Sequence, residues 1–292
     1  MLERRMLCWF VFGAAACGQA PPGAAEQSAV LAQIREAAQA YVRNLPDFIC
    51  MQSTRREIEL VTADAPLGVK ESSQGRGNVA HVGGGRPQSS DTFEEQLTYF
   101  DHQENYQLIK VNGKRQKPGQ PRPPGMTSTG EFGTTLSAIV DPETSTAFEW
   151  RRWDTLRGQP VYVFAFRVEQ SRSNAELRIP SESVVVGYHG LIYADRERKT
   201  VMRVTTEAEA PKGFPMQEVR HLLDFGWVTI SGRQFVLPLR AEMESRMTED
   251  FMKYGRIGGH SREVELRNYA DFHEYRKYAA DSELKPEAEK PQ

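Results

Sequence analysis

The sequence predicts an α+β protein, an antiparallel sheet with helices laid on one face. Three observations carry this. From residue 146 onward the apolar pattern has a period of two, through "AFEWRRWDTL", "PVYVFAFRVEQ", "GLIYA", "KTVMRVTTEAEA", "QEVRHLLDFGWVTI", "RQFVLPLRAEMESRM" and "SREVELRNYADF". The connections between these segments are short turns such as Arg157-Gly158-Gln159-Pro160 and Ser231-Gly232-Arg233, too short for crossover helices, so neighbours run antiparallel. Two stretches instead show helical spacing, and each has an apolar stripe that must lie on something.

The chain has 292 residues, 39% hydrophobic, 26% charged and 10% aromatic, with a formal charge of −2. That is enough to bury a real core, and it gives no basic field to favour nucleic acid. Residues 1–25 stand apart: Glu3-Arg4-Arg5, an apolar run Met6–Ala16, small residues, then Pro21-Pro22-Gly23. This is the layout of a secretory signal, with an apolar run shorter than the roughly 20 residues a membrane span needs. Two endings stay open. Ala14-Ala15-Ala16-Cys17 resembles a lipoprotein cleavage box, which would lipidate Cys17 and anchor the domain, although leucine is missing three places before the cysteine. Cleavage after Ala25 would release it. Of three cysteines only Cys50 lies in the body, so the domain is no disulfide scaffold, and Cys50 in "DFICMQ" reads as a buried, inert thiol.

The body is expected to be one domain over residues 26–280, ahead of a polar tail at 281–292. "EQSAVLAQIREAAQAYVRNLPDF" places Val30, Ile34, Ala37, Tyr41 and Leu45 on one stripe and stops at Pro46. Residues 48–61 read as a strand. Residues 63–91 are Gly/Ser-rich and polar, which predicts a flexible loop; Gly83-Gly84-Gly85 lacks the lysine and helix of a phosphate loop. Strands at about 92–101 and 105–111 form a hairpin, Asn112-Gly113 makes the next turn, and a second loop spans 115–127. Ser128-Thr129-Gly130-Glu131 fits a capping box, opening a short helix whose stripe is Phe132, Leu136, Ile139 and Val140.

Catalytic and metal signatures do not emerge. The six histidines never stand at ligand spacing, and there is no nucleophile elbow, H-E-x-x-H, Walker loop or dinucleotide fingerprint. The chain is therefore read as non-enzymatic and without cofactor. The charged knot Asp195–Arg198 reads as a hairpin tip between Leu191–Ala194 and Thr200–Ala208, in which Met202, Val204 and Ala208 share a face. Strand 161–168 is unusual. Tyr162, Phe164 and Phe166 point one way, while Val161, Val163 and Ala165 point the other, so both faces need cover.

The order of elements, and the segment "GLIYADRERKTVMRVTTEAE" with Tyr193, Asp195, Val201 and Arg203, resemble the superfamily of LolA-like lipoprotein carriers, LppX-like lipid carriers and RseB-like envelope sensors. Lys199 stands near where that hairpin commonly has a small or turn residue. "YVRNLPDFICMQSTRR", "STGEFGTTLSAIVDP", "FEWRRWDTLRGQPVYVFAFRV" and "SGRQFVLPLRAEM" resemble uncharacterised secreted bacterial proteins of the same architecture, over most of residues 40–275. The resemblance implies a strongly curved, unclosed barrel of about nine to eleven strands with helices covering its concave face. It also implies an exported protein that binds a hydrophobic small molecule, acyl chain or lipid anchor. The expected lining is Tyr162, Phe164, Phe166, Met202, Val204, Phe235, Leu237 and Leu239. The alternative it leaves open is an envelope sensor whose partner is another envelope protein. Membrane contact would come only through Cys17.

Overall fold

The computed structural model describes residues 20–61, 89–123, 126, 130–179, 182–248 and 263–278. Cys17, residues 63–88 of the first loop, residues 124, 125 and 127 of the second and the tail fall outside them. In chain order the elements are α1 (Ala24–Arg43), β1 (Phe48–Leu60), β2 (Ser89–Phe100), β3 (Gln103–Val111), β4 (Lys114–Arg115), α2 (Thr134–Val140), β5 (Ala147–Leu156) and β6 (Gln159–Val168). Then follow β7 (Glu176–Ile179), β8 (Glu182–Val185), β9 (Tyr188–Asp195), β10 (Val201–Ala208), β11 (Met216–Ile230), β12 (Arg233–Thr248) and β13 (Glu263–Lys277).

Eleven strands form one antiparallel, unclosed sheet in the order β4-β3-β2-β1-β13-β12-β11-β10-β9-β6-β5, so the fold is α+β as expected. The chain runs outward from β1 to β4, passes through α2, restarts at the far edge with β5 and meanders back until β13 pairs with β1. The sequence reading missed one hairpin. β7 and β8 pair only with each other, and Leu177 and Ile179 pack on a second apolar cluster with Met216, Val219, Val264 and Leu266.

Turn chemistry follows the sequence. At the β11–β12 turn Ser231 and Gly232 have φ 49° and 79°, the primed turn that matches strand twist, and paired positive φ values also occur at Asp101-His102, Asn112-Gly113 and Arg157-Gly158. The Asp195–Arg198 knot is a turn too. Asp195 Oδ1 accepts from the backbone N–H of Glu197 (2.9 Å) and Arg198 (2.7 Å). Lys199 has φ 58°, which is why a small or turn residue suits that place.

Three local expectations need correction. Ser89–Asp91 and Arg115 belong to strands, not loops. The second helix begins at Thr134 behind Gly133 (φ 123°), later than a cap at Ser128 would start it; Ser128 lies outside the described residues, and the Glu131 carboxylate accepts from the Tyr106 hydroxyl at 3.1 Å. Its stripe is as predicted, with Phe132, Leu136, Ile139 and Val140 buried.

Two rows of alternating charge cross the outer face. Glu207, Arg220, Glu244, Arg267 and Glu57 stand opposite one another across β10, β11, β12, β13 and β1. A second row runs Arg203, Asp224, Arg240, Asp271. The Arg203–Asp224 pair is bidentate, with both bonds at 2.7 Å, and Arg267 Nε reaches Glu244 at 2.9 Å. Opposite charges at directly opposed positions stabilise this register over its neighbours.

Candidate functional site

The aromatic side of β6 lies on the inner face. Tyr162, Phe164 and Phe166 are 2–7% exposed and share one core with Val204 of β10 and Leu237 of β12. Phe235 packs on that core half-buried. Trp150 and Trp153 of β5 close over them at centroid distances of 5.4 Å to Phe164 and 5.3 Å to Tyr162.

Two predicted lining residues sit elsewhere in the pattern. A bulge between Val201 and Arg203 turns Met202 to the other face, where it packs with Val161, Val163 and Tyr193. A second bulge opposite Asp224 and Phe225 leaves Leu239 reaching over Gly226, where a Cβ would lie 2.3 Å from Leu239 Cδ1. Sequence periodicity steps by two and cannot register an inserted residue.

The inner face is filled. Val30, Ile34 and Ala38 of α1 and Leu136, Ile139 and Val140 of α2 belong to the same core, and Tyr41 sets its ring edge-on to Phe225 at 5.8 Å. Phe132 completes an aromatic group with Phe48 (5.1 Å) and Phe272 (5.2 Å). The two helices are held differently. Glu104 of β3 fixes the entry to α2, accepting from Gly130 N (3.0 Å), Phe132 N (3.1 Å) and the Tyr106 hydroxyl (2.5 Å). Burial raises the Glu104 carboxyl above its usual range, and these bonds counter it. Among the described residues one side-chain hydrogen bond runs from α1 to the sheet or α2, Gln39 Nε2 to the Val140 carbonyl at 3.4 Å; Gln27 Nε2 reaches only the Pro22 carbonyl just upstream, at 2.8 Å. Just upstream, Trp153 Nε1 donates to the Ala20 carbonyl at 2.9 Å. The cations of the Asp195–Arg198 turn cover the same end: Arg196 lies 4.2 Å over Trp153 and Lys199 5.2 Å over Tyr162.

A polar row crosses the inner face between the two apolar clusters. Thr206, His221, Met243, Asn268, Arg56 and Asp91 stand opposite one another across β10, β11, β12, β13, β1 and β2. Burial depresses the His221 imidazole, with Glu131 opposing the shift, so the ring is held neutral. A pocket of about 30 Å³ opens on this row, lined by Gln52, Thr54, Arg56, Phe93, Glu95, Arg122, Pro123, Met126, Ala241, Met243, Asn268 and Ala270. Arg56 is 4% exposed; its Nη2 donates to the Met126 carbonyl (3.3 Å) and its Nε to Asn268 Oδ1 (3.4 Å). Desolvation lowers its pKa and Asp91 opposes the shift. Arg122 pairs with Glu95.

Sequence reasoning passed over this pocket because it followed aromatics. A signal was present in β1: from Gln52 to Glu57 neither phase of the alternation is apolar, although the strand lies mid-sheet. An interior strand that turns polar on its inner phase marks a polar interior. The buried Cys50 thiol is raised well above its ordinary value by desolvation, in keeping with an inert side chain.

No protein-family profile matches the chain, and no curated protein matches it. Several solved structures are similar to it at low identity. A LolA-superfamily protein from Nitrosomonas europaea shares 11% identity over 86% of this chain and 93% of that one, with a TM-score of 0.33. A domain described as an outer-membrane lipoprotein-sorting protein, from Vibrio parahaemolyticus, shares 9% over 87% and 93%, with a TM-score of 0.35. A DUF1329-family protein from Desulfovibrio piger shares 8% over 87% and 94%, with a TM-score of 0.37.

Proposed function

We propose that this chain is a non-enzymatic, exported binding protein of the cell envelope that takes an acyl chain or similar hydrophobic ligand on the inner face of its sheet. The ligand would lie on Tyr162, Phe164, Phe166, Val204, Phe235 and Leu237 after α1 lifts away. One observation carries the reading: among the described residues α1 is docked on the sheet and α2 by an apolar stripe with one side-chain hydrogen bond, whereas α2 is anchored by Glu104.

The energies allow it. Undocking α1 exposes Val30 and Ile34, at roughly 1.5–3 kcal/mol each, and Ala38 and Tyr41 besides, so the cost is at least about 5 kcal/mol. At about 0.8 kcal/mol per methylene, at least some six or seven buried methylenes are needed to offset it, fewer than a fatty acyl chain carries. Among the described residues the inner face under α1 is packed with its own side chains, and the pocket on the polar row, about 30 Å³, has room for about two waters. Loading therefore requires the helix to move.

The test is native mass spectrometry of protein taken from membranes, followed by titration of the delipidated protein with a fluorescent fatty acid. Saturable uptake with a blue-shifted emission is expected. A clean apo mass together with absent uptake refutes the reading and leaves the interaction module, in which the partner is another envelope protein.

A further inference from the structure

We infer that the pocket on β1, β2, β12 and β13 seats the carboxylate head of an amphiphile whose chain lies under α1. This rests on the binding reading above and specifies the chemical class of its ligand. Two guanidinium groups, Arg56 and Arg122, meet one carboxylate, Glu95, in the lining, and Asp91 acts on Arg56 from beyond it. The charge balance is therefore close, and hydrogen bonding decides.

Arg56 is spent on Met126 and Asn268, but Arg122 Nη2 is buried without a partner, and so is Gln52 Oε1. Both residues line the pocket. Gln52 Nε2 donates to Thr54 Oγ1 at 3.0 Å. With that amide turned over, the Thr54 hydroxyl donates to the carbonyl oxygen and the NH₂ faces the pocket as a second donor. Two donors and room for about two water-sized atoms suit the two oxygens of a carboxylate, not a sugar or a phosphodiester. The walls lead onward: Ala241 and Ala270 belong to the same core as Leu237, so a chain leaving the head group runs onto the apolar inner face without crossing polar ground.

The experiment measures oleate, oleyl alcohol and acetate by displacement of a fluorescent fatty acid from the delipidated protein. Oleate is expected to bind at least ~10-fold more tightly than oleyl alcohol, the gain of a charge-assisted hydrogen bond. Replacing the pair together, Arg122→Gln with Glu95→Gln, leaves no orphaned carboxylate; it should abolish the preference of the protein for oleate over oleyl alcohol. Equal binding of oleate and oleyl alcohol by the unaltered protein overturns the head-group assignment while the chain-binding reading stands. Binding of neither overturns both. Acetate binding as tightly as oleate would detach the pocket from any chain.

Discussion

Ile34→Ala should make the protein less stable and a better binder at once. Ile34 is fully buried between α1 and the sheet, so its truncation falls on the contact that closes the inner face. Such a change costs about 2–5 kcal/mol. If the ligand takes the space α1 vacates, the apparent Kd is the intrinsic one divided by the open fraction, and a closure weakened by about 2 kcal/mol tightens binding about 30-fold. The assay pairs urea unfolding with equilibrium titration of a fluorescent fatty acid. Val163→Ala is the control, because Val163 is equally buried but in the outer cluster with Val161 and Tyr193. It should lose stability with an unchanged Kd. An Ile34→Ala protein that unfolds more easily while its Kd stays the same or weakens refutes the lid argument.

Other expectations follow from single positions. Gly190→Ala puts a Cβ 1.8 Å from the Thr205 carbonyl oxygen, so β9 and β10 must part; a loss above about 4 kcal/mol or insoluble expression is expected, against no change for Gly23→Ala, which meets nothing within 4 Å. Glu265, desolvated and hydrogen-bonded to Glu244, is raised to about 8. The folded state then keeps a proton the unfolded chain has lost, so this group's contribution is full below pH 4.5 and disappears as pH rises to 8, by at most about 1.4 kcal/mol per pH unit. Glu265→Gln should flatten that decline in a series of denaturation midpoints; an unchanged slope counts against the pairing. A chain starting at residue 26 loses the Trp153–Ala20 hydrogen bond, buried Pro22 and the start of α1. Its Tm should lie about 4–8 °C below that of a chain starting at residue 18, from about 2 kcal/mol at this size. Equal Tm values would mean that the segment contributes nothing.

Much of the frame was legible because strand alternation and helical stripes both report burial. Tyr162, Phe164 and Phe166 on one face and Val161 and Val163 on the other are placed as their period demands. What escaped has physical reasons. Met202 and Leu239 are themselves the extra residues of bulges, and an inserted residue leaves no mark on composition. The β7–β8 hairpin is two four-residue strands, too short for periodicity to speak. Arg56, Asn268 and Arg122 read as solvated charge, since nothing local says that a polar residue faces inward; only the register that sets Arg56 against Asn268 reveals it. The filling of the inner face by α1 was equally hidden, because a stripe declares that it is covered and not by what.

The alternating rows Glu207–Arg220–Glu244–Arg267–Glu57 and Arg203–Asp224–Arg240–Asp271 bear on how the molecule can deform. Sliding any of these five strands by one place would part the opposite charges and turn oily side chains to water, so the backbone ladder behind the site is stiff. Amide hydrogens there should exchange only through global unfolding, while those of α1 exchange through a smaller opening. If α1 detaches as proposed, a rigid trough beneath it would return to the same closed shape after each release, which is the property a reusable container needs.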